Sequence, residues 1–320
     1  MGRMIEGEWK TDWYEPDEEG HFKRPNTVFH GRVSREASAE FAPEPGRYHL
    51  YVAWACPWAH RTLIARHLLG LEDAIDVSIV HPLMLEDGWT FDASQPGCTP
   101  DKLYDHEHLR DLYRHADARY TGRVTVPVLW DKRHETIVNN ESREIVHMLD
   151  REFVEPGSRD VELFPHELAG EVNAVTDAIY QPINNGVYRA GFATSQTAYE
   201  EAAEELFAAL DHWEGVLAGQ RYLCGDRLTA ADVFMFTTLF RFDLVYHTHF
   251  KCNVRRIIDY PNLWGFVRDI YQTKNIAGTT HIAQTKLHYF GSHDMINPTR
   301  IVPIGPEIDY SAPHDRSQFG

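Results

Sequence analysis

One cysteine carries the strongest chemical signal in the chain. Cys56 lies in the run Ala55-Cys56-Pro57-Trp58-Ala59-His60, between an apolar stretch, Tyr48 to Ala53, and a segment with helical spacing that ends at Gly70. The first stretch reads as a buried strand and the second as a helix whose first residue is Pro57. A thiolate, not a thiol, is the nucleophile in sulfur exchange. The free N–H groups and positive dipole end of a helix N-terminus favour a thiolate there. The alternative is a buried structural cysteine, a common fate for a free thiol; the position between strand end and helix start argues against it. His60 and Arg61, one turn on, add electrostatic help. Position 59 is alanine, so the motif holds no resolving partner. The second thiol is therefore expected from solution, as a small thiol cosubstrate, with the loop residue Cys98 as the other candidate.

Two further features suit the binding of a thiol peptide. Val126-Pro127 interrupts an otherwise continuous apolar strand. A cis bond there leaves the Val126 main chain able to pair with an extended peptide, whereas an ordinary edge-strand proline does nothing of the kind. Glu141-Ser142 falls where a strand gives way to a helix. Ser142 with the helix N–H groups suits a carboxylate, and Glu141 suits an ammonium group. A plain helix cap is the bland reading of the same pair.

These groups need a scaffold. The spacing predicts strands over 48–53, 75–80, 124–130 and 136–138, and helices over 57–70, 105–118 and 142–153. That order, β-α-β-α-β-β-α, is thioredoxin-like. Residues 47–153 form this α/β domain, preceded by an irregular N-terminal extension, 1–46, in which Phe29-His30-Gly31-Arg32-Val33 is a docking point. A linker, 154–163, leads to an all-α C-terminal domain, 164–290. Helices are expected over 167–183, 197–218, 230–247, 262–272 and 276–288, with a capping box at Thr229-Ala230-Ala231-Asp232. A proline-containing tail occupies 291–320.

Bulk properties narrow the function. The chain has 320 residues, a formal net charge of -17 and four cysteines. Such acidity disfavours nucleic acid and anionic membrane as partners. No apolar run is long enough for a membrane span, the first residues do not read as a signal peptide, and the cysteines are not a disulfide framework; a cytoplasmic protein is expected. No metal is expected: His106 with His108, and His247 with His249, lack nearby cysteine or clustered acids. No phosphate-binding glycine loop follows a strand.

The runs A-C-P-W-A-H-R-T, D-G-W-x-F, T-V-P-V-L-W-D-K, I-V-N-N-E-S, I-N-N-G-V-Y, C-N-V-R-R-I and H-Y-F-G-S-H…I-N-P-T-R-I-V-P lie between Ala55 and Pro303, within a match that extends from residue 29 to 306. Together they resemble the xi-class glutathione transferases, the glutathionyl-hydroquinone reductases. The resemblance implies the glutathione-transferase fold, with Cys56 as catalytic nucleophile. It implies that Trp89, Arg110, Val126, Glu141 and Ser142 hold glutathione or another small cellular thiol. Tyr188 and Tyr289, both from the helical domain, would face an aromatic substrate, with Phe290 where a second tyrosine is expected. It implies a homodimer that takes glutathione off glutathionyl-hydroquinones through a Cys56 mixed disulfide. Other cysteine-type activities remain as alternatives: mixed-disulfide or dehydroascorbate reduction, aryl-ether cleavage, or non-catalytic thiol binding.

Overall fold

The computed structural model describes residues 2–12, 14–153 and 160–319. Glu6 and Gly7, both at positive φ, turn the first residues into a hairpin of β1 (Gly2–Ile5) and β2 (Glu8–Thr11). Paired positive φ values match the natural twist of a hairpin. The extension is thus not wholly irregular, as its composition suggested; its strands pair through backbone groups, which composition does not report.

The central sheet belongs to the α/β part. β3 (Tyr48–Val52) is buried at every position, as befits an inner strand covered on both faces. α1 (Pro57–Leu68) follows and ends in a Schellman motif: Leu71 N–H donates to Arg66 O and Gly70 N–H to His67 O. Gly70 takes a φ of 63°, which glycine adopts without strain. β4 (Ile75–Ile79) lies parallel to β3. α2 (Leu109–Ala116) begins later than its periodicity predicts. The buried Asp101 carboxylate ties up the N–H groups of Leu103 and His106, and Asp105 has positive φ, so the chain cannot turn helical before His108. β5 (Gly122–Arg123) pairs with β1. β6 (Val128–Asp131) runs antiparallel to β3, and β7 (Thr136–Asn139) antiparallel to β6. The sheet order is β4-β3-β6-β7. The strand expected over 124–130 therefore starts only after Pro127. α3 (Ser142–Arg151) closes this part.

Packing divides the chain into two units. The first contains Met1–Trp13, Pro25–Arg159 and Ala283–Ser292. In it the strap after Pro25 docks on β7 and α3. Phe29 and Asn140 exchange hydrogen bonds, Gly31 O accepts from Asn139 Nδ2, and Arg35 reaches Glu152.

The second unit contains Tyr14–Arg24, Asp160–Ile282 and His293–Gly320. Its helices are α4 (Ala169–Ile179), α5 (Gly186–Gly191), α6 (Gln196–Leu217), α7 (Ala230–Arg241), α8 (His247–His249) and α9 (Pro261–Gln272). Short π-helical turns follow α4 and α7, at Tyr180–Asn184 and Phe242–Tyr246. The first holds Pro182, which removes a donor from the α ladder. The tail packs here: the Tyr310 hydroxyl donates to Phe240 O and Arg316 is fully buried.

α10 (Ile282–Ser292) departs from its expected place. The helix predicted over 276–288 is interrupted: a 3-10 turn, Thr273–Thr279, ends at Thr280 in extended backbone (φ −105°, ψ 150°), and α10 starts only at Ile282. Residues 283–292 then pack with the first unit, not with the helical domain to which 164–290 was assigned. The linker residues 154–159 lie outside the described residues.

Candidate active site

Cys56 is the N-cap of α1, in extended backbone (φ −75°, ψ 120°), with Pro57 as the first helical residue. It is half-buried, and its Sγ lies 3.5 Å from the carbonyl oxygen of Val126. Val126-Pro127 is a cis peptide. The other thiols sit differently. Burial raises the Cys98 thiol, pushes Cys224 up to about 12, and carries Cys252 higher still. Those three are kept protonated, and a protonated thiol is a poor nucleophile.

The loop carrying Val126 is held from behind. The buried Tyr113 hydroxyl donates to Thr125 O at 2.8 Å, and Asn140 Nδ2 donates to the same hydroxyl at 3.1 Å. Asn140 immediately precedes Glu141 and Ser142, so one network fixes both the Val126 loop and the approach to α3. Glu141 is the N-cap of α3 and accepts from Arg143 N–H; the Ser142 hydroxyl lies 3.4 Å from Glu141 Oε1. From α1, Arg61 reaches Ser142 Oγ at 3.4 Å while its guanidinium stacks over the Trp58 ring at 4.4 Å. Two helix N-termini, each with unfilled N–H groups by construction, are thereby linked through buried side chains.

Trp89 and Arg110 share the next segment. Trp89 is buried, and its carbonyl accepts from Leu109 N–H, which brings Arg110 alongside. Arg110 donates to Asp87, at both its carbonyl and its carboxylate, and stands 5.2 Å over the Trp9 ring of the N-terminal hairpin. Its charge is thus already partnered by the loop beside Trp89.

Tyr289 is buried on α10, and its ring meets His288 edge-on at 5.1 Å. This corrects the expectation that the helical domain supplies it, because the α10 segment packs with the α/β unit. Tyr188 does lie in the helical unit, on α5, among Phe192, Tyr246 and Phe250. Arg24 from the extension stacks over its ring at 4.9 Å and donates to Asn185 Oδ1.

The structure adds groups that sequence reading passed over. Tyr113 and Asn140 look like ordinary core positions until their hydrogen bonds are seen. His288 stacks flat on Trp89, ring centroids 5.0 Å apart and planes 17° off parallel. Only the run of titratable and aromatic residues at 286–290 hinted at it. Among the described residues no group of three or more His, Cys, Asp or Glu is placed to hold a metal. No helix is long and apolar enough to cross a membrane.

Comparison with known proteins agrees with this architecture. Residues 55–152 match the model of the glutathione S-transferase N-terminal domain and residues 196–269 that of the C-terminal domain. The chain is 50% identical over 328 residues to the glutathionyl-hydroquinone reductase YqjG of Escherichia coli (strain K12), with both chains covered completely. It is 48% identical to the glutathionyl-hydroquinone reductase PcpF of Sphingobium chlorophenolicum, covering 96% of each. A solved xi-class glutathione transferase from Natrialba magadii shares 54% identity and a TM-score of 0.94, over 100% of this chain and 97% of that one. The glutathione-bound structure of YqjG gives 0.90 at 49% identity, over 99% of each. A mixed four-stranded sheet with a helix-capping thiol, joined to an all-helical part, defines a glutathione transferase. The chain belongs to the xi class of that family, the class of the glutathionyl-hydroquinone reductases.

Proposed function

We propose that this protein reduces glutathionyl-hydroquinones with glutathione, using Cys56 as nucleophile. The observation that carries the reading is the half-buried thiol at the N-terminus of α1, opposite Val126 O. The names of the relatives YqjG and PcpF support the substrate class.

The Cys56 S–H contact with Val126 O belongs to the thiol. On ionisation that contact is lost and the N–H groups of α1 take over the charge. The thiolate attacks the sulfur of the glutathionyl group. A bond forms between Cys56 Sγ and that sulfur, and the bond from sulfur to the ring carbon breaks. The electron pair stays with the ring carbon, which takes up a proton and leaves as hydroquinone. A second glutathione thiolate attacks the glutathione sulfur of the mixed disulfide. Glutathione disulfide departs and Cys56 returns as thiolate. The hydroquinone ring gains two electrons, released as the substrate's own glutathionyl sulfur and one incoming glutathione thiol become a disulfide.

Val126 main chain, Ser142 with the N-terminus of α3, and Glu141 are assigned to the thiol peptide, with Trp89 and Arg110 beside them. Tyr289 and Tyr188 are assigned to the ring, where a phenol can bond a hydroquinone oxygen and pack on the aromatic face. Resemblance to the family supports a homodimer and a cytoplasmic location, which sedimentation and fractionation would test.

The deciding experiment is mass spectrometry after incubation with a glutathionyl-hydroquinone and no free thiol. A glutathione-sized adduct on Cys56 with hydroquinone released is expected. A freely alkylated Cys56 with no adduct would overturn the mechanism, and a panel of mixed disulfides and dehydroascorbate would then identify the alternative.

A further inference from the structure

α10 is joined to the loop over 81–98 along its length. His288 Nδ1 lies 2.7 Å from Pro82 O. A carbonyl only accepts, so Nδ1 carries the proton and donates. Met84 N–H donates to Ser292 Oγ at 3.0 Å, and Gln284 Nε2 donates to Pro96 O at 2.6 Å. A Cβ at Gly291 would come within 2.5 Å of Leu83 Cδ2, so a larger residue there would have to displace the Leu83 side chain. The helix therefore sits on the loop through four positions, three of them, Gln284, His288 and Ser292, on successive turns.

That loop carries Trp89. Its main chain is fixed by Leu109 N–H and by the His81 N–H bond to Thr90 O. One face of its indole is covered by the parallel imidazole of His288. Trp89 is 5% exposed. Its indole N–H can only donate, so an oxygen of a bound peptide is a suitable acceptor for it.

We propose that His288 is a positioning residue for glutathione binding. Held by Pro82 O, it backs the indole so that the Trp89 N–H is aimed at a carbonyl or carboxylate oxygen of the thiol peptide. This rests on the reading that Trp89 holds that peptide, and it adds a reason for α10 to leave the helical domain. Without the stack the indole rotates between rotamers, and ordering it becomes part of the binding cost.

The test is steady-state kinetics on the full-length protein, titrating glutathione at a fixed, saturating glutathionyl-hydroquinone. His288→Ala should raise the KM for glutathione about tenfold and leave kcat within about twofold, because the lost group acts on binding alone. His288→Phe keeps a flat ring over Trp89 and should recover the KM to within about threefold of wild type. Trp89→Phe is the reference. If Trp89→Phe raises the KM while His288→Ala leaves it unchanged, or His288→Ala lowers kcat with the KM intact, the inference fails and the role of Trp89 stands. If Trp89→Phe also leaves the KM unchanged, the reading of Trp89 is wrong. Should His288→Ala prove unstable, His288→Phe decides alone: a KM as poor as that of Trp89→Phe overturns the proposal.

Discussion

Two helix N-termini in this chain are built for opposite ends. At α7 the cap is closed. Thr229 and Asp232 form a reciprocal capping box, and the Asp232 carboxylate also accepts from Leu223 N–H at 2.7 Å. Both residues are fully buried, and the donors they satisfy belong to the helix or to the turn before it. At α1 the cap is Cys56, whose side chain makes no capping bond to its own helix. Asp, Ser, Thr or Asn there would stabilise the helix, and cysteine forgoes that gain. A closed cap spends its field on its own side chain. An N-terminus headed by a half-exposed sulfur keeps the field for an ionised thiol and a substrate. α3 stands between the two: Glu141 caps it, while Ser142 beside that cap is bonded to Arg61 from α1.

The comparison breaks most visibly at Cys56. Cys56→Ser should lower turnover by about a thousandfold or more, since a hydroxyl cannot form the mixed disulfide. Urea unfolding of the same variant should show no loss of stability, because serine is a better cap. A variant retaining near-normal turnover would end the nucleophile assignment. Asp232→Ala should do the reverse. It orphans the buried N–H groups of Leu223 and Thr229 and should cost about 3 kcal/mol of stability by urea titration, with the KM values of the surviving folded enzyme unchanged.

At α3 a smaller, mixed effect is expected. Ser142→Ala removes a hydroxyl assigned to the peptide carboxylate and should raise the KM for glutathione about tenfold or more, a hydrogen bond to a charged group being worth roughly 1.5–3 kcal/mol. An unchanged KM with lowered stability would make α3 a structural cap like α7.

The finest test is pH. Burial raises the Asp232 carboxyl from its ordinary 3.8 to about 6, against the hydrogen bonds from Leu223 and Thr229 that pull it down. A raised carboxyl holds its proton in the folded state where the unfolded chain has released it. Stability from this group is therefore full below pH 3.8 and declines as pH rises toward 6. Wild type should lose stability relative to Asp232→Asn across that window, read as the difference between their urea midpoints. A constant difference would mean that Asp232 titrates at its ordinary value.

The capping box at Thr229 and the Cys56-Pro57 junction were both legible in the sequence, because each is written in four or fewer consecutive residues. The cis Val126-Pro127 bond was anticipated from a proline inside an apolar run. The hold on that loop was not, since Tyr113, Thr125 and Asn140 meet only when α2 packs beside β7. The π-helical turns were read through as α-helix: side-chain periodicity barely registers one added residue, whereas the backbone hydrogen-bond register does.

Local propensity and hydrophobic period thus determined, from the sequence by itself, the order of the central-sheet strands and the helices between them, the two-part organisation and the thiol at the head of α1. The tertiary structure alone decided which distant segments meet. It sent α10, read as the last helix of the helical domain, back to the α/β unit, where it brings His288 against Trp89 and Gly291 against Leu83. Some two hundred residues separate those partners. Contacts of that span leave no local period or motif, because they arise from matching shapes of elements that must each form first.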